Sequence, residues 1–134
     1  GAWQLNSGSS NAYSYSSGHG IIFKNGNNVA LTAKAKSEIK LTLCAFDNAY
    51  KITVSDGSNA IVATANLTVA DSSGRTASIK DGVISVSNPT YQKEGDVLTI
   101  GIPENFAGNN VVLTWSEVGG NTYIHKIEVT IPSE

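Results

Sequence analysis

The sequence predicts an all-β domain, a two-sheet antiparallel β-sandwich with a jelly-roll-like arrangement of strands. Its short runs either alternate between apolar and polar side chains or are rich in β-branched residues. None of these runs shows the apolar stripe of an amphipathic helix. Residues that tolerate a positive φ separate the runs at a steady spacing, which is typical of a sandwich or a barrel.

Taken in chain order, a first strand opens at Trp3 and another follows His19. Further strands are predicted at residues 29–34, 39–46, 52–55, 61–69, 83–87, 97–102, 111–117 and 123–131. The turn signals between them are Asn25-Gly26, Asp56-Gly57, Ser73-Gly74, Asp81-Gly82, Glu94-Gly95, Gly108-Asn109 and Gly119-Gly120. The polar stretch at 7–20, which carries Tyr13 and Tyr15, is predicted to be a long loop.

Alternation within the strands predicts which side chains form the core. Three sets of apolar residues each share one face of a strand. They are Ile39, Leu41, Leu43 and Ala45; Leu98, Ile100 and Ile102; and Ile127, Val129 and Ile131. The intervening residues Lys40, Thr42, Lys126, Glu128 and Thr130 are expected on the outside, so the pattern requires two packed sheets.

Composition limits the classes of function. The 134 residues fit a single domain at 1–134, and the start at Gly1-Ala2-Trp3 together with the absence of Met predicts a piece excised from a larger protein. Nine Lys and Arg residues are scattered and outnumbered by eleven acidic residues, which argues against nucleic-acid binding. No apolar run is long enough to insert into a membrane. We expect a monomeric module that is extracellular or displayed at the cell surface.

The sequence offers no catalytic constellation. His19 lies between two glycines and His125 lies in a strand, and neither has a partner at a spacing used by nucleophiles or zinc sites. Cys44 is expected to be a small apolar residue of a strand. The acids fall mostly in turns, where Asp accepts bonds from its own backbone, rather than in a facing pair. We therefore predict a non-enzyme without a cofactor, with a structural calcium ion left open and unassigned.

Loop parity predicts where a ligand would bind. If every connection reverses the strand direction, the loops near residues 25–28, 47–50, 70–75, 88–96 and 118–122 share one end of the sandwich. That end gathers aromatic rings with amides and a carboxylate, the mixture that sugar rings and their hydroxyls require. The predicted ligand-binding residues are Phe46, Asp47, Asn48, Tyr50, Tyr91, Gln92, Trp115, Asn121 and Tyr123.

Two alternatives to this placement stay open. Tyr50, Trp115 and Tyr123 also fit the apolar register of their strands, so a role in the core competes with ligand contact for each. The site could instead be a groove on a sheet face, with Lys40, Thr42, Phe46 and Lys126 as its floor.

Several segments resemble the sandwich modules that are appended to bacterial plant-cell-wall hydrolases. They are WQL at 3–5, GHGIIF at 18–23, NNVALTA at 27–33, IKLTLC at 39–44 and TYIHKIEV at 122–129. The pattern is most similar to the xylan-binding modules of gut-bacterial xylanases, and similar domains occur in pectin-acting enzymes. The resemblance implies a non-catalytic module that binds xylan or arabinoxylan and targets a covalently linked glycoside hydrolase to the plant cell wall.

Other interpretations of the pattern are kept beside this one. Pectin and β-glucan are the alternative ligands. A structural or protein-binding immunoglobulin-like module of a secreted or surface protein would show the same strands, turns and low charge.

Overall fold

A computed structural model describes residues 3–6, 14–16, 20–23, 25–45, 49–69, 76–87, 96–117 and 122–132, and these form twelve β-strands. The strands are β1 (Trp3–Asn6), β2 (Ser14–Ser16), β3 (Gly20–Phe23), β4 (Asn28–Thr32), β5 (Glu38–Ala45), β6 (Tyr50–Ser55), β7 (Thr64–Thr68), β8 (Thr76–Lys80), β9 (Val83–Ser87), β10 (Asp96–Gly101), β11 (Asn110–Ser116) and β12 (Thr122–Thr130). The described residues contain no helix, so the prediction of an all-β fold is confirmed.

The strands form two six-stranded sheets, which we call sheet A and sheet B. The strand order is β1-β4-β11-β6-β9-β8 in sheet A and β2-β3-β12-β5-β10-β7 in sheet B. The strand pairings among the described residues are antiparallel. From β3 to β8 and again from β9 to β12, successive strands alternate between the sheets, which gives a jelly-roll-like sandwich.

The core lies between the sheets and follows the period-two alternation of the strands. Ile39, Leu41 and Leu43 of β5 are buried, as are Leu98 and Ile100 of β10, so the faces predicted for these strands are confirmed. On β12, residues 127 and 129 pack against the core. The prediction for residue 131 is wrong, because this isoleucine is 40% exposed beyond the end of β12.

Two strands differ from the sequence prediction. No strand was predicted at β8, because only Ala77 and Ile79 contribute apolar contacts and the other three residues are exposed. β2 lies within the stretch at 7–20 that was predicted to be loop, where it pairs with β3. Both strands lie at an edge of their sheet, and an edge strand needs less apolar surface than a central one.

Backbone hydrogen bonds place the connections at two ends of the sandwich. At the first end, the N–H of Gly26 donates to the carbonyl of Trp115 at 2.8 Å. At the second end, the N–H of Ala33 donates to the carbonyl of Asn109 at 2.9 Å, and the N–H of Lys36 donates to the carbonyl of Ile102 at 3.1 Å. We therefore call the end with residues 25–27 the first end and the end with residues 102–109 the second end.

Candidate functional site

The ligand cluster predicted at the first end falls largely on residues outside the described part of the chain. Those residues are Phe46, Asp47, Asn48, Tyr91, Gln92 and Asn121. The structure therefore bears on three of the nine predicted ligand-binding residues.

Two of those three are core residues, which corrects their assignment as ligand contacts. Tyr50 is 1% exposed and Trp115 is fully buried. Each takes an inward position in the alternation of its strand, and the indole ring of Trp115 packs on Phe23 with ring centroids 4.2 Å apart and planes at 43°. With so little of either ring exposed, neither can be the surface on which a sugar ring packs.

Tyr123 takes a different position, and a β-bulge explains why. Between Ile124 and Lys126 the register of β12 shifts against β5: Ile124 pairs with Leu43, and the next pair is Lys126 with Thr42. Two residues of β12 thus correspond to one residue of β5, and the extra residue reverses the faces. Ile124 is buried and Tyr123 points to the outer side of sheet B, half-buried.

The expectation that Tyr123 shares a face with Ile127 and Val129 is therefore wrong. Alternation along an unbroken strand would place residues 123 and 127 on one face, but the bulge lies between them. Tyr123 instead shares the outer face with Lys126 and Thr42, two residues named for the sheet-face groove.

The register extends this face across four strands. One row joins Lys126, Thr42, Val97 and Thr68 as successive partners on β12, β5, β10 and β7. The next row joins Glu128, Lys40, Thr99 and Asn66. We call these two rows, together with Tyr123 and with Glu38 two residues before Lys40 on β5, the sheet B face. Hydroxyl, amide, amine and carboxylate groups therefore lie on the same face of sheet B as one aromatic side chain, Tyr123.

The charges of this face occur in close pairs. Lys126 Nζ lies 3.6 Å from Glu128 Oε2, and Lys40 Nζ lies 3.7 Å from Glu38 Oε1. The side chains of these four residues are between 47% and 60% exposed. Solvent therefore reaches all four charged groups.

Polar groups are also buried beneath the first end. Asp96, grouped with the turn acids in the sequence, is the first residue of β10 and is fully buried. Among the described residues, no hydrogen-bond partner lies within reach of Trp115 Nε1 or Thr122 Oγ1. These atoms give the first end a polar interior. The burial of Asp96 was not predicted, because a buried residue that begins a strand has the same kind of sequence neighbours as a turn residue.

A second surface, which the sequence reasoning did not single out as a site, is a cleft at the second end. It encloses about 220 Å³ and is lined by residues that include Phe106, Val62, Asn105 and Asp56. Val62 is 73% exposed. The Phe106 ring lies over Gly108, where an added Cβ would stand 2.7 Å from the ring. The sequence prediction placed the ligand site at the first end, so Phe106 at the second end was not among its candidate residues.

A third surface is a shallow groove of about 280 Å³ on the outside of sheet A. Its lining includes the hydroxyl residues Thr76, Ser78, Ser85 and Ser87. Lys51 and Glu117 also line it and form an ion pair of 2.9 Å. The aromatic residue of its lining is Tyr50, which is buried, so this groove lacks an exposed ring for a sugar.

The described residues show neither a metal-binding cluster nor a membrane-spanning helix. No group of three or more His, Cys, Asp and Glu side chains there could hold a metal ion. No helix in that part of the chain is long and apolar enough to cross a membrane.

Comparisons with known proteins find no matching family model, no matching curated protein and no matching solved structure.

Proposed function

We propose that this chain is a non-catalytic module that binds a polysaccharide on the sheet B face, with Tyr123 as the ring that contacts the sugar. The observation that carries the proposal is the β-bulge, which turns Tyr123 outward beside Thr42 and Lys126. An aromatic plane packs against the C–H face of a pyranose ring, and the neighbouring polar groups can exchange hydrogen bonds with its hydroxyls.

The dimensions of the face suit a polymer better than a single sugar. Its rows cross four strands, and three strand spacings span about 14 Å. Lys126, Thr42, Thr99 and Asn66 distribute amine, hydroxyl and amide groups over that distance, so an extended chain can make several weak contacts in succession. Single contacts of this kind are weak, and affinity comes from their sum.

The resemblance in sequence supports xylan or arabinoxylan as the first ligand to test, with β-glucan and pectin as alternatives. The role we propose is targeting. A module held on an insoluble polysaccharide raises the local concentration of a covalently linked glycoside hydrolase at its substrate. Such a role requires secretion and no chemistry in the module itself.

Affinity electrophoresis in gels that contain xylan, β-glucan or pectin tests the proposal. We expect retardation by at least one polysaccharide and a loss of retardation in Tyr123→Ala. Burying an aromatic side chain contributes on the order of 1.5–3 kcal/mol, so binding should weaken at least about tenfold.

Phe106→Ala is the matched control, because it removes a half-buried ring at the second end without changing charge. Retardation by none of the three polysaccharides would contradict polysaccharide binding and would favour the structural or protein-binding alternative. Loss of binding in Phe106→Ala with full binding in Tyr123→Ala would move the site to the cleft. Release of reducing sugar from any of the polymers would contradict the non-catalytic role.

A further inference from the structure

The arrangement of charge on the sheet B face carries an inference about the ligand, and it rests on the function proposed above. Four charged residues follow one another along β12 and β5. Lys126 is paired with Glu128 on β12, Glu128 is the cross-strand partner of Lys40, and Lys40 is paired with Glu38 on β5. The signs therefore alternate as plus, minus, plus, minus.

The register explains why each cation stays close to an anion. Residues two apart on a strand share a face, and side chains directly opposite in an antiparallel pair have Cβ atoms about 4.5–5.5 Å apart. Lys40 thus lies between the carboxylates of Glu38 and Glu128. Exposed ion pairs of this kind add little to folding stability. Their charges instead affect which charged ligands the face attracts or repels.

From this arrangement we infer that the sheet B face selects an uncharged polysaccharide over a polyuronate. The four charges sum to zero. A uronate carboxylate that approaches Lys40 or Lys126 has to compete with a carboxylate already 3.6–3.7 Å from the ammonium and is repelled by it. The formal net charge of −2 over the whole chain adds to the repulsion of a polyanion.

Neutral sugars meet no such penalty. Their hydroxyls can donate to the carboxylates and accept from the ammonium groups without displacing either partner. Among the three polymers named above, this favours xylan and β-glucan over the polyuronate backbone of pectin. Glu38 and Glu128 are then specificity-determining residues.

The test is a double substitution, Glu38→Gln with Glu128→Gln, that removes both carboxylates and leaves the lysines. The protein is passed at low salt over resins that carry xylan, β-glucan or polygalacturonate. We expect wild type to be retained by a neutral resin and to pass through polygalacturonate. The double variant should gain affinity for polygalacturonate on the order of tenfold and lose that gain near 1 M salt, where the screening length is about 3 Å.

Asp81→Asn with Glu104→Gln is the matched control. Both residues are exposed and lie outside the sheet B face, and both double variants raise the formal net charge from −2 to zero. Asn also suits the left-handed backbone of residue 81, whose φ is 52°. The control should keep neutral-resin binding and gain on polygalacturonate only the small part that comes from the net charge, well below the gain of the Glu38→Gln, Glu128→Gln variant.

The outcomes separate the two claims. Wild type retained by neutral resins and by polygalacturonate alike overturns the inference and leaves polysaccharide binding in place. A double variant that gains no more than its control also overturns the inference alone. A wild type that passes through every resin overturns the proposed function, and the inference with it.

Discussion

Replacing Trp115 by Ala should destabilise the fold strongly, because its indole ring is fully buried against Phe23. Truncating a buried Trp to Ala costs about 3–5 kcal/mol, the sum of lost transfer free energy and the cavity that remains. Since domains of this size unfold with about 5–15 kcal/mol, the variant should lose roughly a fifth or more of its stability. The melting temperature should fall by about 10–20 °C.

Urea denaturation followed by far-UV circular dichroism measures the change. Tyr123→Ala is the comparison, because its half-buried side chain lies on the outer face and should cost about 1 kcal/mol or less. Trp115→Phe keeps a ring against Phe23 and removes an N–H that has no partner among the described residues, so its loss should be smaller than that of Trp115→Ala. A loss below about 1 kcal/mol in Trp115→Ala would refute the assignment of this residue to the core.

Two further predictions concern turns at the second end. In Gly82→Ala, the new Cβ would lie 2.7 Å from the carbonyl oxygen of Ile61 at a φ of +80°, so unfolding should become easier by about 1–3 kcal/mol in urea; an unchanged midpoint would contradict the close approach. The Asp56 carboxylate accepts hydrogen bonds from the backbone N–H groups of Asn59 and Ser58 at 2.7 and 2.8 Å, and these lower its pKa below the usual 3.8. This contribution to stability is present above pH 3.8 and is lost as the pH falls through the lowered pKa, so the melting temperatures of wild type and Asp56→Ala should differ at neutral pH and approach each other as the pH falls below 3.8. A difference that stays constant as the pH falls would contradict the role of the ionised carboxylate.

The candidate site was predictable only in part, and Tyr123 shows the reason. Its residue type and its place near the end of a strand marked it as a ligand contact, while its register with Ile127 and Val129 favoured the core. Both inferences assumed that β12 pairs with β5 without a bulge. A bulge adds one residue without altering the local composition, and only the pairing with β5 reveals it.

Trp115 and Tyr50 show the opposite limitation. Loop parity places these aromatic residues near the first end of the sandwich. It predicts the position of a residue along the strand direction but not whether its side chain points inward. Alternation along each strand allows an inward position for the ring, and the opposite sheet decides whether the ring is covered there. Phe23 of sheet B supplies the surface on which Trp115 packs, and that contact joins residues far apart in the chain.

The sequence by itself determined the all-β class, the inward faces of β5 and β10, and the glycine turn at residues 81–82, because each depends on local backbone preference and on period-two alternation. Only the tertiary structure decided the strand order, the edge positions of β2 and β8, the burial of Asp96 and the outward turn of Tyr123. These features depend on which strands pair and in what register. Pairing is set by contacts between distant parts of the chain, and the residues of one strand do not specify it.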